Sequence, residues 1–275
     1  MPVSVITGGA SGLGRALGER CAKRGHDVVL LDLDADRAAH EAAALSAVHG
    51  IKALGMLTDV SDARSVDAAA YAVEQRFGAA DLVVSNVGVQ LFGPVERFTD
   101  DEWRWVLDVN VVGSARVARA FIPLLRKAGQ RGKHLAFTTS SSVFDPASRL
   151  GAYQASKFAV WGLAETLRLE LRADGIGVSV IFPSGMASRH LETSQSAQPD
   201  HLRRPVGEPA DFEAMMASNP QMATEDMIRT PEDAADGVID AVLAGERYVV
   251  THGDFVEALT ARHSALIHAV ESRRA

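Results

Sequence analysis

The feature that most restricts the fold is a rhythm: short apolar runs alternate with longer stretches of helical spacing along the whole chain. The runs are 3–7, 28–31, 51–56, 82–85, 134–139, 178–182 and 248–251. They are apolar nearly throughout rather than at every second position, as parallel strands covered on both faces must be. Between them, 12–24, 35–49, 62–77, 100–127, 152–173 and 231–244 are Ala-, Glu- and Arg-rich with apolar residues at helical intervals. Repeated strand–helix–strand units imply an α/β architecture, a doubly wound parallel sheet with helices on both faces and right-handed crossovers. No linker, repeat or low-complexity segment interrupts 1–275, so a single domain is expected.

Composition removes several functions. A net charge of −7 leaves no basic excess to neutralise nucleic-acid or membrane phosphates, and Arg203-Arg204 and Arg273-Arg274 read as solvated surface. One cysteine, Cys21, excludes an intrachain disulfide and a multi-cysteine metal site. The nine histidines are scattered without ligand spacing, so each is expected to be structural and no metal is implied. No G-x-S-x-G elbow is present for a serine hydrolase. No run approaches the roughly 20 apolar residues of a membrane helix. The chain starts directly in an apolar run, so a cytoplasmic location is expected.

The first run leads into Thr7-Gly8-Gly9-Ala10-Ser11-Gly12-Leu13-Gly14 and then a helix. Glycines there permit a sharp turn and close approach to a pyrophosphate, which the helix N-terminus attracts. Between a strand and a helix, the motif marks a Rossmann-type dinucleotide site. Asp32 ends the second run, where a carboxylate accepts from ribose hydroxyls and repels a 2′-phosphate, favouring NAD(H) over NADP(H). Its competing role is to cap the next helix, for which Asp34 is equally suited. Asp59-Val60 follows the third run, Asp59 facing adenine or capping the helix from 62. Asn86 and Gly88 follow the fourth, Asn86 suited to tying strands and Gly88 to close backbone approach.

Tyr153 and Lys157 lie four apart in a helical stretch, hence on one face. A lysine charge at roughly 4 Å, in a dielectric of about 20, supplies on the order of 4 kcal/mol. That is roughly three pKa units toward a phenolate, making Tyr153 a candidate general acid/base. Thr138-Thr139-Ser140-Ser141-Ser142 ends the fifth run, where a hydroxyl could hold a substrate oxygen beside the phenol. Asn110 falls in mid-helix, an unfavourable position explained by a bound water or a bend.

With these motifs in order, the TGxxxGxG and YxxxK patterns included, the chain resembles the short-chain dehydrogenase/reductase family over essentially its whole length. The resemblance implies a tetrad. Tyr153 is the acid/base, Lys157 binds the nicotinamide ribose and lowers the tyrosine pKa, Asn110 holds a relay water, and Ser140 orients the substrate. Ser141 and Ser142 stay open as alternatives to Ser140. It also implies dinucleotide contacts from Gly8, Ser11, Gly12, Leu13, Gly14, Asp32, Asp59, Val60, Asn86, Gly88, Pro183, Gly185, Met186 and Ser188. Three positions depart from the family pattern: Val87, Ser184 between Pro183 and Gly185, and Ser188 where a threonine is common.

The stretch 184–229, which follows Pro183, breaks the rhythm with four prolines from Pro199 to Pro220 and reads as a substrate lid or a surface excursion. Val89, Gln90, Leu91, Phe92, Val143, Phe144 and the apolar residues of the lid, from Met186 to Met216, are expected to line the pocket. The expected function is therefore an NAD(H)-dependent oxidoreductase acting on a hydrophobic or aromatic secondary alcohol and its ketone. NADP(H)-dependent carbonyl reduction and a non-catalytic dinucleotide sensor are the alternatives. The resemblance further implies a homo-oligomer, a tetramer or dimer, paired through 100–127 and 152–173.

Overall fold

The computed structural model describes residues 1–129, 132–219 and 227–273. Seven strands form one all-parallel sheet: β1 (Val3–Thr7), β2 (Asp27–Asp32), β3 (Ala53–Leu57), β4 (Leu82–Ser85), β5 (Lys133–Thr138), β6 (Ile176–Phe182) and β9 (Tyr248–Val250). Their order is β3-β2-β1-β4-β5-β6-β9. The chain winds outward from β1 to β3 and then returns to start β4 on the other side of β1. The strand order reverses between β1 and β4, and the carboxyl ends there open a crevice.

The unbroken apolar runs follow from burial on both faces. Val28 and Leu30 of β2 pack with Leu13 and Leu17 of α1 (Gly12–Lys23), Leu45 of α2 (Ala35–His49) and Val238 of α10 (Val238–Leu243). Val29 and Leu31 of the same strand point into the opposite core. That core holds Val66 of α3 (Ala63–Phe77), Phe121 of α5 (Gly113–Lys127) and Val160 of α6 (Gly151–Glu170). Each fully buried side chain of this kind contributes on the order of 2 kcal/mol.

Four elements differ from the expectation. The helix expected over 100–127 is α4 (Asp100–Leu107), a π-helical segment at Asp108–Val112 and then α5. Asn110, in the π segment, has turned its side chain away from the helix to bond another loop. The stretch 231–244 divides into α9 (Pro231–Ala234) and α10 at Gly237, whose φ of +69° breaks the helix. The irregular stretch holds two helices, α7 (His190–Ser196) and α8 (Pro209–Ser218), and two short paired strands, β7 (Gly185–Met186) and β8 (Ile228–Arg229). Part of the stretch expected to form a lid, 220–226 with Pro220, lies outside the described residues. A last helix, α11 (Val256–Glu271), was not expected and has no buried residue. Among the described residues no helix is long and apolar enough to cross a membrane.

Candidate active site

The glycine loop is shaped by what a side chain could not fit. Gly8 and Gly12 have φ of +66° and +51°. A Cβ on Gly14 would lie 2.0 Å from the Gly8 carbonyl oxygen, so only glycine lets α1 begin against the end of β1. Ser11 is the N-cap in extended conformation, and its hydroxyl makes no capping bond. The first-turn amides of α1 have no intrahelical partner and face the crevice end, as an anion requires. Leu13 is buried in the core, so only its backbone can meet a ligand.

Asp32 braces this loop: one carboxylate oxygen accepts from the Ala10 amide at 2.9 Å, the other from the Asp34 amide at 3.1 Å. Asp34, not Asp32, caps α2 by accepting from Arg37. Likewise Asp62 caps α3, which leaves Asp59 closing a tight turn on Ser61. Val60 is buried, and its carbonyl accepts from Arg116. Arg15, behind the loop, pairs with Glu232.

From β4 to α6 the remaining residues form one continuous network. Asn86 donates to the Thr7 carbonyl at 3.2 Å and accepts from the Thr138 hydroxyl at 3.1 Å, tying β1, β4 and β5. Gly88 clears space for Lys157, whose Nζ would be 2.9 Å from a Cβ there. Asn110, fully buried, accepts from the Val89 amide at 2.8 Å and donates to the Val89 carbonyl at 2.9 Å. It also donates to the Ser156 hydroxyl at 2.8 Å, and Ser156 donates to the Tyr153 carbonyl at 2.5 Å. Asn110 therefore bends the helix and fastens the Gly88 loop to the helix that carries Tyr153.

Of the serine cluster, Ser140 is the one that acts on the phenol, favouring its ionised form, and its hydroxyl accepts from the Ser142 amide at 3.2 Å. The Ser141 amide donates to the Pro183 carbonyl at 2.8 Å, and the Ser142 carbonyl accepts from Gln154 at 2.8 Å. Burial raises the phenol pKa, with Ser140 opposing it. Lys157 does not bring it down as expected. Its Nζ lies 5.4 Å from the centre of the Tyr153 ring and donates to the Thr138 carbonyl at 3.2 Å, and burial pushes its own pKa down to about 8. In so enclosed a pair, desolvation outweighs the attraction.

The far wall belongs to the stretch that follows β6. Gly185 fits because a Cβ would lie 2.6 Å from the Met227 carbonyl oxygen. His252 pins the same turn, its Nε2 lying 3.0 Å from the Gly185 carbonyl and 3.2 Å from that of Met227. Met186 packs toward the core beside α1, and Ser188 stands 3.9 Å from where a Gly12 Cβ would be. Glycine loop, Tyr153, Lys157 and Ser188 thus share one cleft.

The short chain dehydrogenase family model matches residues 2–199. This chain belongs to the short-chain dehydrogenase/reductase family. It is 31% identical over 269 residues to a C alpha-dehydrogenase of Sphingobium sp. strain SYK-6, covering 98% of this chain and 86% of that one. It is 32% identical over 255 residues to a 1-deoxy-11-beta-hydroxypentalenate dehydrogenase of Streptomyces avermitilis, covering 91% and 84%. The crystal structure of a short chain dehydrogenase/reductase from Burkholderia phymatum in complex with NAD superposes with a TM-score of 0.85 at 30% identity, covering 98% and 95%. As a member of this family the chain is an oxidoreductase.

The pocket wall differs from the expected one. Val89, Leu91, Val143 and Phe144 are buried in the main core, and Phe144 stacks on Phe182 at 4.5 Å. The apolar wall beside Tyr153 is Phe92, Ala147, Leu150, Phe212, Met215 and Met216, with Phe92 and Phe212 at 4.5 Å. Gln90 is buried and its amide donates to Ser194 of α7. Sequence reasoning also missed His190, whose ring lies 6.4 Å from that of Tyr153. Burial, aided by the Lys157 charge, brings its pKa down to about 4. Nothing in its spacing from other residues signals this; only α7 brings it to the cleft.

Proposed function

We propose that the chain interconverts a hydrophobic or aromatic secondary alcohol and its ketone with NAD(H), Tyr153 acting as general acid/base. One observation carries the reading: Tyr153 stands on α6 one turn before the buried Lys157 and is backed by an apolar wall of Phe92, Leu150, Phe212 and Met215. The shape of the glycine loop fits a dinucleotide. Its pyrophosphate would be held by Gly8, Ser11, Gly12 and the amides of Leu13 and Gly14, and its ribose by Asp32. Asp59, Val60, Asn86 and Gly88 would flank the adenosine and the ribose, with Pro183, Gly185, Met186 and Ser188 at the nicotinamide end. When bound, the nicotinamide supplies the hydride acceptor or donor.

Ser140 orients the substrate oxygen, and Tyr153 takes its proton in oxidation and returns it in reduction. Asn110 fixes the helix and loop that align Tyr153 and Lys157. A phenol pKa above its ordinary value suits donation to a ketone at neutral pH, so oxidation should quicken toward alkaline pH. The Asp32 carboxylate supports NAD(H), since a 2′-phosphate beside it would be repelled. Exposed Phe158 and Leu169 on α6 support pairing with a second copy in a dimer or tetramer.

The test is a panel of aryl-alkyl, alicyclic and sugar alcohols with NAD and with NADP, followed by absorbance of the reduced cofactor at several pH values. Apolar secondary alcohols with NAD should lead, and Tyr153→Phe should lose roughly 100- to 10,000-fold. Full activity in Tyr153→Phe would sink the acid/base assignment, preference for NADP the Asp32 argument, and preference for sugars the substrate class. Light scattering of the same preparation should show an oligomer, and a monomer would refute the pairing.

A further inference from the structure

His190 begins α7 two residues beyond Ser188, and its half-buried ring lies 6.4 Å from that of Tyr153, tilted by 58°. His26 pairs with Ser4, His49 with Glu19, and His252 with Thr251 and the Gly185 carbonyl, while His134, buried in the sheet on β5, has no ring partner among the described residues and lies away from Tyr153. At His190, among the described residues, the hydrogen bond present uses the backbone carbonyl, which accepts from Thr193. Its imidazole is left with a donor and an acceptor at the mouth of the site. The wall opposite, formed by Phe92, Ala147, Leu150, Phe212, Met215 and Met216, has no side chain able to donate or accept a strong hydrogen bond.

We propose that His190 is a substrate-positioning, specificity-determining residue whose imidazole hydrogen-bonds a second oxygen carried within two carbons of the reacting carbinol. The inference rests on the reading of Tyr153 as acid/base toward an apolar alcohol. With the two rings this close, an oxygen held by Tyr153 and an oxygen held by His190 belong to one small molecule. Burial and the Lys157 charge keep the imidazole neutral, so it can donate to an ether or carbonyl and exchange bonds with a hydroxyl. The favoured substrate is therefore an aryl or alicyclic carbinol bearing a neighbouring hydroxyl, ether or carbonyl. A simple apolar alcohol leaves the imidazole unpaired, and such a loss discriminates more sharply than a missing methylene does.

The matched probes are 1-phenyl-1,2-ethanediol and 1-phenylethanol, oxidised with NAD by wild type, His190→Leu and His190→Gln. Wild type should prefer the diol. In His190→Leu the diol-to-monoalcohol ratio of kcat/KM should fall about tenfold, chiefly through KM for the diol. His190→Gln, which keeps a donor and an acceptor, should hold the ratio within about threefold of wild type. NADH binding by fluorescence, measured on all three proteins, separates a substrate contact from a displaced cofactor. An unchanged ratio in His190→Leu overturns the assignment, as does a proportional loss on both alcohols accompanied by weakened NADH binding. If wild type oxidises neither alcohol, the apolar-alcohol reading falls and this inference falls with it; if it oxidises both and only the ratio fails to move, His190 alone is misassigned.

Discussion

The glycine loop and the stretch that carries α7 and α8 meet at Gly12 and Ser188, yet one is shaped by backbone against backbone and the other is held by side chains. On the loop side, Gly14 leaves its neighbour's carbonyl no room for a methyl group, and Asp32 fastens the turn from beneath. On the other side, α8 is latched to the loop before Tyr153. Asn219 donates to the Asp145 carboxylate at 2.7 Å, the Ser148 amide and hydroxyl donate to the Ser218 hydroxyl and the Ala214 carbonyl, and Arg149 lies 3.7 Å from Asp211. Steric exclusion admits one arrangement, whereas a few hydrogen bonds can be broken and remade at small cost.

Three measurements can break or sharpen this contrast. The largest effect is expected for Gly14→Ala, where overpacking should cost about 3 kcal/mol and sharply weaken NADH binding. A Tm and an NADH affinity equal to wild type would show that the loop yields as readily as α8.

Acid comes next and acts on the sheet. His26, bonded to Ser4 of β1, and His134 on β5 are buried, and burial lowers both imidazole pKa values. Unfolding restores ordinary values near 6.5, so below that pH the unfolded chain binds protons that the fold refuses. Stability should be full above pH 6.5 and fall below it by up to about 1.4 kcal/mol per pH unit for each histidine. Tm measured from neutral pH downward checks this, and a flat profile through the range where imidazoles titrate would contradict it.

The smallest effect on stability should come from Asn219→Ala. It removes one latch at about 1 kcal/mol, with Tm barely moved and KM raised roughly fivefold. A Tm loss as large as that of Gly14→Ala would make α8 part of the rigid frame.

Much of the frame is legible in the amino-acid order. The strand positions can be read because burial on both faces demands apolar residues at successive positions, as Val28 to Leu31 show. The loop can be read because glycine is required wherever a Cβ collides, and Asn110 stands out because asparagine is poor in mid-helix. Helices α7 and α8 are less legible: prolines and scattered methionines carry little periodicity. α11 leaves no clear pattern because none of its residues is buried.

By itself the amino-acid order determined the sheet and the place of the glycine loop. Local rules suffice there, since each residue answers to its neighbours along one strand or one helical turn. Tertiary structure alone decided three matters. It moved Val143 and Phe144 from the pocket into the core and brought His190 to Tyr153 from 37 positions away. It also reversed the expected pKa of the tyrosine, because desolvation depends on every atom packed around a group and spacing along a helix cannot report it.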